Sequence, residues 1–146
     1  MKTVSVIFRR NHTLGSILLR VAMWSKWAHC GVIHGNEVIE ASAVGGVVRT
    51  PYDAFIKNSS CHEIVGFYLQ DAVADAVVQN MLSQLGKPYD WTGILGIAFR
   101  QRNWHDKDKW SCAELVAWAF EKAGRPLVRA GSWRVNPQQI YLPIFG

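Results

Sequence analysis

The chain has 146 residues, 49% of them apolar and only 18% charged, with seven tryptophans; this excludes a disordered or low-complexity polymer and fits one domain, residues 1–146, with a real core. The net charge of +5 gives a mildly positive field, yet the basic residues are scattered in pairs such as Arg9 with Arg10 and Arg100 with Arg102, so no specific nucleic-acid interface is expected. Three cysteines, Cys30, Cys61 and Cys112, are an odd number without paired spacing, which favours free thiols over a disulfide framework.

Thr3 to Phe8 alternates and is rich in β-branched residues, predicting a strand. Its apolar stretch from Val4 to Phe8 is too short for a signal peptide and runs straight into Arg9 and Arg10. A cytoplasmic protein, or one released without a classical signal peptide, is the expectation. Thr13 to Trp24 shows helical spacing through Leu14, Ile17, Leu18, Val21 and Ala22, with Thr13 as N-cap. Arg20 and Lys26 interrupt the apolar stretch from Leu14 to Trp27, which falls short of the ~20 residues a membrane span needs.

His29 to His34 and Glu37 to Ser42 read as strands around Gly35-Asn36, a dipeptide suited to a two-residue primed turn. Gly46 to Thr50 continues as a third strand of this group, Pro51 to Ile56 turns away, and His62 to Leu69 returns as a strand. Asp71 to Leu85 places Ala72, Val73, Ala76, Val77, Met81 and Leu85 on one helical face, stopped by Gly86 and Pro88. Trp91 to Arg102 reads as a Gly-interrupted short helix or loop, and Gln101 to Lys109 is polar. Ser111 caps a helix running through Lys122, ended by Gly124 and Pro126, and the tail from Val128 carries no clear pattern. The whole predicts a single α+β domain.

With Ser111 as N-cap, Cys112 occupies the first helical position, where free N–H groups and the helix dipole favour a thiolate. Buried packing beside Leu115, Val116 and Phe120 is the competing role for this cysteine. In the hairpin, a two-residue loop pairs His34 with Glu37 and, counting outward, His29 with Ser42. Glu40 then becomes the diagonal neighbour of His29 on the same face, ~7–8 Å away between backbones. A carboxylate there would orient the imidazole and stabilise its charged form, which a base working on a thiol requires. A three-residue loop would reverse the parity and separate the two.

Two stretches together resemble a known family. Ser25-Lys26-Trp27-Ala28-His29-Cys30-Gly31-Val32-Ile33, followed by Val38-Ile39-Glu40-Ala41 and Gly45-Gly46-Val47, is similar to the histidine half of the permuted NlpC-like papain-fold cysteine hydrolases, a group with YiiX-like and lecithin retinol acyltransferase-like branches. Gly86-Lys87-Pro88-Tyr89-Asp90-Trp91 and Trp110-Ser111-Cys112-Ala113-Glu114-Leu115-Val116 resemble the cysteine half. The resemblance implies a circularly permuted papain-like fold, with a small antiparallel sheet or barrel packed against the cysteine-bearing helix. It makes Cys112 the nucleophile, His29 the base, Glu40 the third member and Tyr89 a cleft or oxyanion residue. Cys30 stands where an aliphatic residue is usual, and Ala113 where a serine is common.

The resemblance implies no cofactor and a peptide or acyl substrate. A peptidase or amidase on cell-wall peptides such as peptidoglycan comes first. An acyltransferase, thioesterase or lipid-directed enzyme on the same site, and a non-catalytic binding module, are the alternatives. Trp24, Trp27, Trp91, Trp104 and Trp110 flank the site in sequence and suit either an acyl chain or a core. A zinc site from His29, Cys30, His34, Cys61 and His62 is not expected, because His29 and Cys30 project to opposite faces of a strand and no paired-cysteine spacing is present.

Overall fold

The computed structural model describes residues 1–22, 25–57, 59–91, 109–128 and 135–145. Alternating residues from Thr3 onward build β1 (Lys2–Arg10), which runs past Phe8 because Arg9 and Arg10 stay paired with His62 and Cys61 of β5 (Cys61–Leu69). Between them the chain forms β2 (His29–His34), β3 (Glu37–Ser42) and β4 (Gly46–Pro51). The sheet is antiparallel throughout, in the order β4-β3-β2-β1-β5. It is an open sheet: β4 and β5 lie at opposite edges.

The Gly35-Asn36 turn sets the hairpin register, pairing His34 with Glu37, Ile33 with Val38 and Val32 with Ile39. That ladder stops at Val32, although β2 stays paired with β1 as far as His29 and β3 with β4 as far as Ser42. Each strand follows its outer neighbour, and the sheet forks between them.

Period-two alternation divides the sheet into two faces. Val4, Val6, Phe8, Cys30, Val32, Ile39 and Ala41 are buried under α3 (Asp71–Ser83), α4 (Cys112–Lys122) and α5 (Pro137–Phe145). On the opposite face, Ile7 and Val38 pack with Phe55 of α2 (Tyr52–Lys57). That helix corrects the expectation that 51–56 merely turns away. Tyr52 donates its N–H to the Asn36 carbonyl, Asp53 sits in the favourable first turn, and burial of Phe55 anchors the turn to the sheet.

Several boundaries also differ from the sequence pattern. The α3 helix ends at Ser83 rather than Leu85, because the Gln84 and Leu85 N–H groups bond three residues back, to Met81 and Leu82, tightening the last turn before Gly86. The patternless tail contains α5, whose Tyr141 ring packs edge-on against Phe8 and Trp27. Trp24, Trp104, His105 and most of the stretch from Trp91 to Lys109 lie outside the described residues.

The first helix, α1 (Leu14–Ala22), starts as expected, with the Thr13 hydroxyl accepting the Ser16 N–H. Its orientation does not follow from its pattern: Ser16 is buried, while Leu14, Ile17, Leu18 and Val21 are exposed.

The edge of β4 is held by a backbone exchange in which Gly86 donates to the Val47 carbonyl and Val47 donates to the Lys87 carbonyl, each at 2.9 Å. Gly46, at φ +71°, permits this approach, since a Cβ there would collide with the Lys87 carbonyl. Gly46→Ala is expected to lower stability by about 2 kcal/mol or more. Gly35→Ala, at φ +62° with no atom within 4 Å of the added Cβ, carries only the left-handed backbone penalty of about 1 kcal/mol. Urea unfolding of both variants measures the difference, which is the contribution of close approach.

Candidate active site

Ser111 is extended at φ −84°, ψ 164°, and α4 begins at Cys112. The run Ser111-Cys112-Ala113-Glu114 has the spacing of a capping box, but the buried Ser111 hydroxyl makes no cap hydrogen bond. Glu114 is 1% exposed and Asp90 is fully buried. Burial, then the charge of Asp90, raises the Glu114 carboxyl to about 8, so near neutrality it is largely protonated. Asp90 belongs to a short parallel bridge of Tyr89 with Trp110, in which Asp90 donates to the Trp110 carbonyl and Trp110 to the Pro88 carbonyl. The start of the cysteine helix is thus tied to the strand carrying Tyr89.

The Cys112 sulfur meets the fork between β2 and β3. Its electrostatic neighbours are Cys30 and His29. The influence of Cys30 has the largest effect on its acidity; burial opposes it, and the charge of His29 reinforces it, holding the thiol well below its usual range. His29 and Cys30 point to opposite faces in a regular strand, yet both reach the sulfur. The open end of the β2–β3 ladder leaves the Cys30 N–H available and lets Cys112 approach His29 from the far side.

His29 is 14% exposed, and its Nε2 lies 3.5 Å from Oε1 of the buried Glu40. At that separation this is an ion pair rather than a closed hydrogen bond. Nε2 faces the carboxylate. Burial works against a charged imidazole, but the Cys112 thiolate, its hydrogen bond and Glu40 outweigh burial and raise His29 to about 9. Gly31 makes room for Glu40, since a Cβ there would lie 2.7 Å from Val38 and 3.3 Å from the Glu40 Cβ.

Two residues near this pair carry charge or polarity that the sequence pattern did not single out for the site. Arg9 pairs with His29 across β1 and β2 and feels both Glu40 and Cys112. Its Nη1 donates to the Phe55 carbonyl at 2.7 Å, and its guanidinium lies 4.1 Å from the Phe55 ring centroid. No local signal marks it, because β1 and β2 are separated by α1. Cys30 contacts the sulfur directly. It stood out in the sequence as a departure beside His29, but its contact depends on the fork.

A cleft of about 260 Å³ opens on this group, lined in part by Arg9, Arg10, His29, Ser42 and Tyr89. Burial, followed by the charges of Cys112 and Glu114, holds the Tyr89 phenol well above its ordinary value, so it stays an O–H donor. Trp91 is half exposed and stacks edge-on against Tyr89, whereas Trp27 and Trp110 belong to the core. Among the described residues, no three His, Cys, Asp or Glu side chains are arranged to hold a metal ion, and no helix is long and apolar enough to cross a membrane.

No family model matches the chain, and no curated protein matches it. Among solved structures, the crystal structure of metalloprotein YiiX from Escherichia coli O157:H7 matches with a TM-score of 0.64 and 22% identity, over 88% of this chain and 69% of that one. This likeness shows a YiiX-like α+β fold.

A raised imidazole beside a lowered thiol defines a pH window. The thiolate–imidazolium pair forms above the lowered Cys112 value and is lost as His29 deprotonates near 9. The stability that protonated His29 contributes is therefore complete below its unfolded value of ~6.5 and is lost as pH rises through the folded one. Iodoacetamide should alkylate Cys112 far faster than Cys61 at neutral pH. His29→Gln should move the onset upward toward ~8.5 and slow labelling at about pH 6 by roughly tenfold or more. An unchanged onset would separate the thiol from the imidazole.

Proposed function

We propose that the chain is a cysteine-dependent hydrolase of papain-like design in circularly permuted order, with Cys112 as nucleophile, His29 as general base and acid, and Glu40 as the group that orients and charges His29. The observation that supports this reading is the arrangement around His29, whose Nε2 lies 3.5 Å from the buried Glu40 carboxylate and whose charged form the Cys112 thiolate favours. The fold likeness to YiiX, at 22% identity, supports the architecture and says nothing of the substrate.

The Cys112 thiolate attacks an acyl carbon, and charge moves to the carbonyl oxygen. The Cys112 backbone N–H at the helix start is the donor for that oxyanion, and the Tyr89 hydroxyl is the second. Protonated His29 then gives its proton to the leaving amine or alcohol, leaving an acyl thioester on Cys112. Neutral His29 next takes a proton from water, the hydroxide adds to the thioester, and collapse releases a carboxylic acid and the thiolate. Arg9 adds positive charge beside Glu40 and Cys112, which stabilises the anionic forms in this partly buried site.

The first assignment is a peptidase or amidase acting on cell-wall-type peptides such as peptidoglycan. It follows the sequence resemblance. An acyltransferase, thioesterase or lipid hydrolase on the same residues is the second reading. It is favoured by a specific observation, the outward apolar residues of α1, whose Thr13 and Ser16 line the same cleft.

Peptidoglycan fragments, acyl esters and thioesters should be offered to the wild type and to Cys112→Ala. Turnover of one class, falling at least about a thousandfold in Cys112→Ala, is expected. Glu40→Gln should lower kcat by roughly ten- to a hundredfold with little change in KM, because Glu40 acts through His29. Equal turnover by wild type and Cys112→Ala would remove the thiol mechanism and leave a binding module.

A further inference from the structure

The apolar stripe of α1 faces the wrong way for a core helix. Leu14, Ile17, Leu18 and Val21 follow the i, i+3, i+4, i+7 pattern that normally marks a buried face. They are 71, 39, 58 and 68% exposed, while among the described side chains of the helix Ser16 is the buried one. Four large aliphatic groups on two consecutive turns make a contiguous exposed patch, which soluble surfaces rarely carry without a partner.

Charge indicates which partner. The first 36 residues contain Lys2, Arg9, Arg10, Arg20 and Lys26 and no acidic residue, whereas the rest of the chain carries eleven residues of each sign. The net charge of the protein therefore resides in the segment that contains α1. Arg20 lines a hollow of about 450 Å³ together with Ile17, Val21 and Ser25, and Arg10 lines the His29 cleft. Apolar residues to enter an acyl layer, rimmed by cations for phosphate, are the chemistry of an interfacial helix.

We infer that α1 is a docking face for an anionic phospholipid bilayer, with Leu14, Ile17, Leu18 and Val21 entering the acyl boundary and Arg10, Arg20 and Lys26 meeting lipid phosphates. The same segment borders the His29 cleft on its other side, through Thr13 and Ser16. This goes beyond the proposed hydrolase activity, since docking requires no turnover.

Flotation of the Cys112→Ala chain with vesicles tests the docking while holding chemistry silent. Binding is expected to vesicles in which about a third of the lipid is phosphatidylglycerol, and to be at least about tenfold weaker with phosphatidylcholine alone. Leu18→Glu with Val21→Glu should abolish it, and Arg20→Gln should weaken it by roughly fivefold. All four positions of the stripe are exposed, so circular dichroism and urea unfolding should match the parent. Leu18→Ser with Val21→Ser provides a second, uncharged pair that should also lose binding. No binding to phosphatidylglycerol vesicles, binding unchanged in both double variants, or a dimer that Val21→Glu dissociates would each overturn the proposal. Loss of docking with retained turnover of soluble esters or peptides would leave the hydrolase reading intact.

Discussion

A sulfur that is only 3% exposed can hold negative charge only if donors and positive charge surround it. Cys112 has these in the Cys30 N–H, the Cys30 thiol, protonated His29 and the start of α4. They meet at the fork between β2 and β3, where the hairpin ladder ends at Val32 but each strand continues with its other neighbour. Had the ladder continued to His29, the Cys30 N–H and His29 would have remained on opposite sides of closed backbone pairing. The fork is therefore the feature on which the charge arrangement depends.

Local devices hold the two sides of the fork in place. On one side, Gly31 leaves space for Glu40 and Arg9 lies beside both. On the other, Tyr89 bridges to Trp110, and Glu114 is buried in the first turn of α4. A largely protonated Glu114 matters here, because a second full negative charge within the first turn would oppose the thiolate it supports. The β4 edge adds a third tie through Gly46, which brings the backbone at Lys87, just before Tyr89, against the sheet.

The sheet face and the helix α1 express opposite uses of the same apolar periodicity. Val4, Val6 and Phe8 alternate and are buried; Leu14, Ile17, Leu18 and Val21 are periodic and exposed. Periodicity states that an element has an apolar side, and it does not state which surface that side meets. In the core, Phe8 and Trp27 pack with Tyr141, which comes from a helix more than a hundred residues downstream of α1.

Much of this protein was legible in the linear chain because its causes are local. The Gly35-Asn36 dipeptide determined the hairpin register, and with it the shared face of His29 and Glu40. Ser111 marked the N-cap position and hence Cys112 as the first residue of α4, although its hydroxyl makes no cap hydrogen bond. The short helix α2 escaped because six residues carry too little periodicity, and its stability comes from Phe55 against Ile7 and Val38. Arg9 beside His29, Cys30 at the sulfur and the outward face of α1 were decided only by tertiary structure. Each depends on strands or helices paired across long separations, and loop length and local pattern carry no information about where such a ladder stops or which surface is already filled.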